Sequence, residues 1–419
     1  MIRTLVLVAL ICGAQLTVLA QRDCVSSQYF NDLNADDPLF ATRHAAISRY
    51  LNQKDNQIQM FGAGDDLPAQ TTIIIPVVVH VVYNRDIQNI ADAQIHSQIA
   101  ILNADFRRLN ADTVNTPARF KPFAADCNIE FRLATVDPDG RPTSGIVRKQ
   151  TGTTGFSMND NIKFDAAGGH DAWDADKYLN IWVGPMSGGI VGYASPPGSD
   201  KDRDGVVIRY NAFGSTGTAA APFNKGRTAV HEIGHWLGLI HIWGDVSCGD
   251  DEIDDTPVQE NFTAGCPRGE VMVSCNNDPD GNMYMNYMDL TDDACTNLFT
   301  HGQKTRMRSL FNPGGPRHAL LSSNALDGPG LPPPSNPPPG DGIRLYPNPA
   351  TSLITVDING DQTLIGQYYT LINQYGQMIR YQVISADRFT VNIAALPAGV
   401  YFLRTGTAGK TMRILKTNK

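Results

Sequence analysis

No excess of positive charge runs through this sequence: Lys and Arg number 34 against 42 Asp and Glu, a formal net charge of −8. Proteins that grip nucleic acid carry a basic excess, so the balance argues against a polyanion partner. Charged residues make up only 18% of the chain and apolar residues 42%, a composition that packs cores and excludes wholesale disorder. Cysteine is scarce, 7 in 419 residues, too few for a small domain held by a disulfide framework. No CxxC pair is present, which argues against a zinc knuckle. Beyond the N-terminal residues no apolar run is long enough to span a bilayer. At roughly 150 residues per domain, the length implies two or three domains.

What is present begins with an export signal. Arg3 supplies the positive start, Leu5 to Ile11 the apolar centre and Val18-Leu19-Ala20 the small-residue cleavage site, so residues 1–20 read as a signal peptide. The apolar run falters at Gly13 and Gln15, short of the roughly 20 residues that a membrane anchor needs. Cys12 follows Ile11, not a small residue, which disfavours a lipoprotein. Export leaves Cys24, Cys127, Cys248, Cys266, Cys275 and Cys295, four of them within residues 248–295. In an oxidising compartment that cluster makes two disulfides, in any of three connectivities.

Residues 21–60 are polar, with a helical stretch around 41–53, and read as a propeptide. Residues 61–325 mix strands and helices. The β-branched run from Thr71 is a buried strand, and 128–136, 178–186 and 205–213 are further strands. Residues 92–109 place Ile95, Ile99, Leu102 and Phe106 on one face of a helix. Residues 326–342 hold seven prolines and form a linker without a core. Residues 343–419 carry short alternating runs between turns, the pattern of a small all-β sandwich.

The chemistry is concentrated in residues 231–241, which run HEIGHWLGLIH. His231 and His235 are four apart and share one face of a helix, so both can grip one metal ion. Gly238 can take the positive φ that ends the helix, and His241 returns as a third ligand. Three imidazoles with an open fourth position is the ligand set of catalytic zinc. Zinc lowers the pKa of a bound water to about 7 and polarises a carbonyl. Glu232 beside the first ligand is placed to take the water proton as general base. HExxH alone occurs by chance, whereas the eleven-residue HExxHxxGxxH is far more constrained.

This motif resembles that of the metzincin metallopeptidases. The longer string HEIGHWLGLIHIWGD, the cysteine-rich loop after it and NYMDLTDDACTNLFT resemble the pappalysin family, most of all its cytophagalysin, ulilysin and mirolysin branch, over residues 71–312. The resemblance implies an α+β metzincin catalytic domain: a twisted sheet plus helices above a zinc cleft, then an irregular lower subdomain. It implies zinc at His231, His235 and His241, Glu232 as base, and a Met-turn at Met288. Relatives place a tyrosine two residues after that methionine, where it can hydrogen-bond the developing oxyanion. This chain has Leu290 there, so adjacent Tyr287 is the candidate transition-state stabiliser. The resemblance also implies the disulfides Cys248–Cys275 and Cys266–Cys295.

Asp245, Asp250, Asp251, Glu252, Asp254 and Asp255 crowd one loop. Such density is repulsive unless offset, and Ca²⁺ takes six to eight oxygens from loops of this kind. Pappalysin relatives bind calcium here, which makes Asp251, Asp254 and Thr256 the candidate ligands of a structural Ca²⁺. Asp200, Asp202, Asp204 and Gly205 resemble the start of an EF-hand loop, but its twelfth position is Asn211, not Glu. A thiolate is a good zinc ligand, and Cys24 in the propeptide is the candidate zymogen switch, as in ulilysin-like proforms. Its rival is a Cys24–Cys127 disulfide. His80, inside VVVHVVY, reads as a core histidine, and His301 and His318 have no motif around them. The family's taste for a basic residue after the scissile bond needs an acid in that pocket, with Glu270 and Asp289 as candidates.

The opening LYPNPA, the segment PAGVYFLR and the close KTMRILK resemble the C-terminal sorting signal of type IX secretion. That resemblance implies the type IX machinery as partner, a Bacteroidetes-like source, and an extracellular or outer-membrane-surface location. A carbohydrate- or protein-binding sandwich is the competing reading of this module, and no exposed aromatic cluster is expected on it. The whole chain thus reads as a secreted zinc endopeptidase acting on proteins or peptides and made as a latent zymogen. The alternative is a non-catalytic, zinc-stabilised adhesin on the same scaffold. The intact Glu232 argues against that alternative, and Leu290 is the feature in its favour.

Overall fold

The computed structural model describes residues 24–61, 71–267, 271–328 and 343–358, and 364–418 apart from 366, 376, 385, 387 and 406–410. The signal peptide, most of the linker and Glu270 lie outside the described residues. No helix among the described residues is long and apolar enough to cross a membrane.

Strand β1 (Ile73–Tyr83) is the centre of the catalytic body. It pairs in parallel with β2 (Ile129–Leu133) and β3 (Ile146–Gln150) and, on another register, with β4 (Leu179–Gly184). The sheet order is β2-β1-β4-β6-β5, where β6 is Gly205–Arg209 and β5 is Gly192–Ala194. Strand β5 runs antiparallel to β6 and forms the edge. Because β1 is covered on both faces, it is apolar throughout rather than alternating. Ile73, Ile75, Val77, Val79 and Val81 point to the main core, shared with helices α3 (Asp92–Phe106) and α4 (Arg227–Trp236). On the opposite face Val82 joins Trp182, Tyr193 and Val207 in a second core.

His80 lies on the same face as Val82, as the core histidine expected. It is buried, stacks on Trp182 and contacts Asn180 at 2.9 Å and His170 at 3.0 Å. Burial and the neighbouring His170 push its pKa down to about 3.

Two helices precede the sheet, α1 (Ser26–Asp36) and α2 (Pro38–Phe61). The polar composition of this segment hid α1, whose one buried stripe, Tyr29 and Leu33, packs in the second core. Leu51 of α2 enters the main core, and Tyr50 donates to the Ser309 carbonyl on α5 (His301–Ser309). Residues 26–51 therefore pack onto the catalytic body.

Residues 343–418 form the expected all-β unit. One sheet is β10-β9-β12-β13 (Met378–Val383, Tyr368–Asn373, Gly399–Thr405, Thr411–Lys416) and the other β11-β8-β7 (Arg388–Asn392, Leu353–Asp357, Arg344–Tyr346). Ile354, Val356 and Val391 of one sheet meet Tyr369, Leu371, Leu403 and Ile414 of the other in a single core, which makes a sandwich. The absence of an exposed aromatic cluster is corrected. Tyr368 and Tyr381 stack at 4.3 Å with both rings exposed, beside exposed Met378 and Ile379. Strand β10 is an edge strand with little cover on either face, so its apolar side chains stay outside.

Candidate active site

Helix α4 follows Gly226 (φ +70) and is buried along its whole length. Its chain reverses at Gly238 (φ +80), where the Gly238 amide donates to the His235 carbonyl and the Leu239 amide to that of Gly234. The reversal carries His241 back against the helix. The three Nε2 atoms converge: His231–His235 is 3.1 Å, His235–His241 3.2 Å and His231–His241 3.3 Å. Tetrahedral zinc with Zn–N of about 2.0–2.1 Å spaces its nitrogens by roughly 3.3 Å, so the donor set fits that ion.

The outer nitrogens explain why all three lone pairs face inward. His231 Nδ1 lies 2.6 Å from the Tyr287 carbonyl, His235 Nδ1 2.9 Å from the Leu239 carbonyl and His241 Nδ1 2.5 Å from Asp245 Oδ1. Each acceptor holds the proton on Nδ1 and leaves Nε2 free to ligate. Burial first, then the neighbouring His241, push the pKa of His235 down to about 3, which keeps it neutral.

Cys24 completes this group. Its Sγ lies 3.6 Å from His235 Nε2 and 3.8 Å from Glu232 Oε2. Ligand atoms of Cys24, His231, His235 and His241 all lie within 4.8 Å of one another, and among the described residues no other such group of His, Cys, Asp and Glu forms. Burial and then Glu232 raise the Cys24 pKa, so without a metal it stays a thiol. Cys24 and Cys127 are both free, and Cys127 is buried in the main core, so the rival disulfide between them is not formed.

Two hydroxyls that sequence reasoning missed also enter the site. Ser26 Oγ donates to Glu232 Oε2 at 2.9 Å and accepts from the Ala194 amide at 3.0 Å. Ser27 Oγ lies 3.2 Å from His241 Nδ1. Their only sequence signal was their position just after Cys24. Strand β5 closes the other side of Glu232: a Cβ at Gly192 would stand 2.9 Å from Glu232 Cγ and 3.1 Å from the Val207 carbonyl.

Met288 lies beneath the helix. A Cβ at Gly234 would meet its Sδ at 2.5 Å, and its carbonyl accepts from the Ile242 amide. Asn286 and Gln303 exchange side-chain hydrogen bonds and tie the turn to α5.

The role expected of the Tyr287 side chain is corrected. Its ring is buried against Phe299, and its hydroxyl sits beside Asp105 and Arg227, away from the imidazoles. Only its backbone carbonyl reaches the site, through His231. A residue before the turn methionine and one two after it point in different directions, so Tyr287 cannot replace a tyrosine at 290. Leu290 itself packs with Trp243, Met285 and Leu298.

The acids of 245–255 do not gather. Asp245 serves His241, Glu252 pairs with Arg306 at 2.8 Å, and Asp254 is exposed. Asp251 is buried and accepts from Thr256 Oγ1 at 2.6 Å, and burial pushes its pKa up to about 7. The EF-hand likeness fails as well. Asp200 pairs with Arg43, while Asp204 accepts from Trp236 Nε1 and pairs with Arg317. Gly205 opens β6 instead of turning a cation loop. Asp289 is buried, with its oxygens taken by the amides of Thr263 and Leu290 and by Gln259, which does not suit it to reading a substrate cation. The disulfides Cys248–Cys275 and Cys266–Cys295 are both present.

Residues 163–312 match the peptidase family described as Pregnancy-associated plasma protein-A, and residues 344–416 match the Secretion system C-terminal sorting domain. An extracellular metalloprotease of Verticillium alfalfae is 31% identical over 284 residues, 65% of this chain and 86% of the relative. One from Pyricularia oryzae is 33% identical over 252 residues, 58% of this chain and 76% of the relative. Among solved structures, Tannerella forsythia mature mirolysin in complex with a cleaved peptide is 53% identical, with a TM-score of 0.59, over 60% of this chain and 96% of that one. A Tannerella forsythia promirolysin with one glutamate replaced by alanine is 47% identical, with a TM-score of 0.65, over 74% of this chain and 100% of that one. The chain belongs to the pregnancy-associated plasma protein-A family of peptidases and is a secreted metalloendopeptidase with a type IX sorting module at residues 344–416.

Proposed function

We propose that the chain is a latent zinc endopeptidase in which residues 21–60 hold the site shut until they are removed. The observation that carries this reading is the triangle of Nε2 atoms, 3.1–3.3 Å apart, with Cys24 Sγ and Glu232 at its open side. His231, His235 and His241 hold the ion and Cys24 occupies its fourth position. Zinc bound there supplies Lewis acidity to a water and to the scissile carbonyl. Glu232 takes the proton of the attacking water at its carboxylate and delivers it to the leaving nitrogen. Met288 packs under Gly234 and supports the helix that carries two of the imidazoles.

The latent form has a further support in the likeness to promirolysin, which reaches 74% of this chain against 60% for the mature form. Residues 61–325 are then the catalytic domain, residues 326–342 the linker, and residues 343–419 a sorting domain that leaves after export. We also assign a structural Ca²⁺ to the 245–255 loop. A hard cation there offsets the cost of the buried Asp251 carboxylate. Asp251 and Thr256 remain candidate ligands, whereas Asp254 is exposed. After a calcium-selective chelator, a fall in melting temperature that Ca²⁺ and not Zn²⁺ restores is expected.

The test of the main reading is cleavage of quenched peptides before and after limited proteolysis of the full chain, with Glu232→Ala alongside. Activity that rises on processing, is lost to a zinc chelator, and falls by roughly 10²–10⁴-fold in Glu232→Ala is expected. Equal activity in Glu232→Ala removes that residue as the base.

A further inference from the structure

The N-terminal segment does more than place a thiol at the histidines. It meets β5, the free edge of the catalytic sheet, through one bridge from Cys24 to Gly192 and the Ala194 amide donating to Ser26 Oγ, where α1 begins. A free strand edge is a docking place for any extended chain, since its unpaired backbone groups bind peptide backbone. Side chains of such a chain alternate in step with those of the strand. Gly192 and Ala194 face Glu232 and the main core. Tyr193 faces the opposite side, with Trp182 and Val207.

On that opposite side the N-terminal segment inserts Tyr29. Its ring lies 5.0 Å from that of Tyr193, with Lys163 Nζ 5.0 Å from its centroid. Its hydroxyl donates to Asp160 Oδ2 at 2.6 Å. Asp160 is 3% exposed and sits in left-handed backbone at φ +64, a region that aspartate tolerates better than most side chains. Its other oxygen, Oδ1, is engaged by Lys163 at 2.8 Å and the Tyr193 hydroxyl at 3.2 Å. Oδ2 thus belongs to Tyr29, with Arg203 further off at 3.5 Å. A groove of about 740 Å³ continues from this point between Leu33 and Phe40 of the N-terminal segment and Met158 and Arg203 of the catalytic body, and only the latter wall stays when residues 21–60 leave.

We propose that the Tyr29 slot becomes a substrate subsite in the processed enzyme, selecting a tyrosine side chain through Asp160. The inference rests on the latency reading above, because Tyr29 must leave for the slot to open. Its departure takes the hydroxyl donor from a buried carboxylate oxygen and the ring from an aromatic wall. A peptide strand on β5 sends the residue level with Tyr193 to this face, where Val25 now packs, and a tyrosine side chain that extends from there to Asp160 restores both contacts. Phenylalanine fills the wall but leaves Oδ2 short of its donor. Lysine or arginine adds a third cation where Lys163 and Arg203 already face one carboxylate, and like charges in a buried site repel. The expected order is therefore Tyr, then Phe, then Leu, with Lys last.

The experiment uses the full chain processed by limited proteolysis and a set of quenched peptides. Tyr, Phe, Leu or Lys is placed in turn at each of three positions on either side of the cleaved bond. One position is expected to favour Tyr over Phe by about tenfold in kcat/KM, the effect of one hydrogen bond to a charged group. In Asp160→Asn that Tyr:Phe ratio falls towards one, and because it is a ratio within one preparation, partial misfolding cancels. Should Asp160→Asn fail to fold, the wild-type ratio decides alone. Peptides that are cleaved with Tyr, Phe and Leu within twofold at every position overturn the subsite and leave the latent peptidase standing. A ratio unchanged in folded Asp160→Asn overturns the assignment to Asp160. Activity that does not rise on processing overturns the latency reading and the subsite with it.

Discussion

Single side chains near the site are decided by which neighbour they meet. Tyr287 and Asp289 flank Met288, and neither does what its chemistry first suggests. The Tyr287 hydroxyl is drawn to Asp105 and Arg227, and Arg227 also holds Asp112 at 2.7 Å. Asp289 instead binds the turn to the 259–263 segment through two accepted hydrogen bonds and accepts a third from the Leu290 amide. Burial lifts its pKa to about 6, against an ordinary value near 4. A carboxyl raised on folding binds more protons in the native than in the unfolded chain over that interval. Its contribution is therefore complete below about pH 4 and is lost as pH rises through 6. Asp289→Asn keeps the acceptor oxygen, and Gln259 Oε1, buried without a partner, can accept the new amide if Gln259 turns over. Urea unfolding is expected to show the variant gaining on wild type between pH 4 and 6, by on the order of 2 kcal/mol. A constant difference across that range would remove the titration from Asp289.

At the scale of elements, two short pieces decide whether the ligands can work. Helix α4 carries His231, Glu232 and His235, but its position depends on Gly234 over Met288 and on Gly192 of β5 over Glu232. The contact at Gly192 is the less forgiving, because a methyl there meets a backbone carbonyl as well as Glu232 Cγ. Gly192→Ala must shift the carboxylate or the strand. Displacement of a catalytic group by about 1 Å can cost on the order of 10²-fold. A fall of kcat by about 10- to 100-fold is expected for Gly192→Ala in the processed enzyme, with the metal content unchanged. Steady-state kinetics beside metal analysis checks this, and lost metal would place the damage at the imidazoles instead.

At the scale of the whole molecule, the catalytic body and the sandwich keep separate hydrophobic cores with separate tasks. The catalytic body packs α3 and α4 on one face of its sheet in the main core and closes the other face with the second, while the sandwich has its own core drawn from both of its sheets. An independent core lets the sandwich act as a detachable module. A chain ending at Gly340 is expected to keep peptidase activity after processing and to stay out of the medium. Fractionation of cells and medium with an antibody to the catalytic body tests it, and a truncated chain found outside would give the sandwich another role. The exposed Tyr368–Tyr381 pair on edge strand β10 marks the face of this module that differs most from its sequence reading.

The sequence alone determined whatever depends on neighbours along the chain. The four-residue spacing of His231 and His235 sets two ligands on one helical face, and the glycine at 238 turns the chain so that His241 can follow. The β-branched run of β1, the alternating strands of the sandwich and the proline-rich boundary are equally local, and the structure keeps all that lie within the described residues. Short or polar pieces escaped it: α1, the three-residue strand β5 and α5 lack the periodicity that a local reading needs. Tertiary structure alone decided contacts between residues far apart in the chain. It brought Cys24 and Ser26 across more than 200 positions to Glu232, gave the Tyr287 carbonyl to His231, turned the Tyr287 ring towards Asp105 and set Tyr29 on Asp160. The physical reason is the same in each case. Periodicity says which way a side chain points from its own helix or strand, but only the packing of one element on another says what it points at.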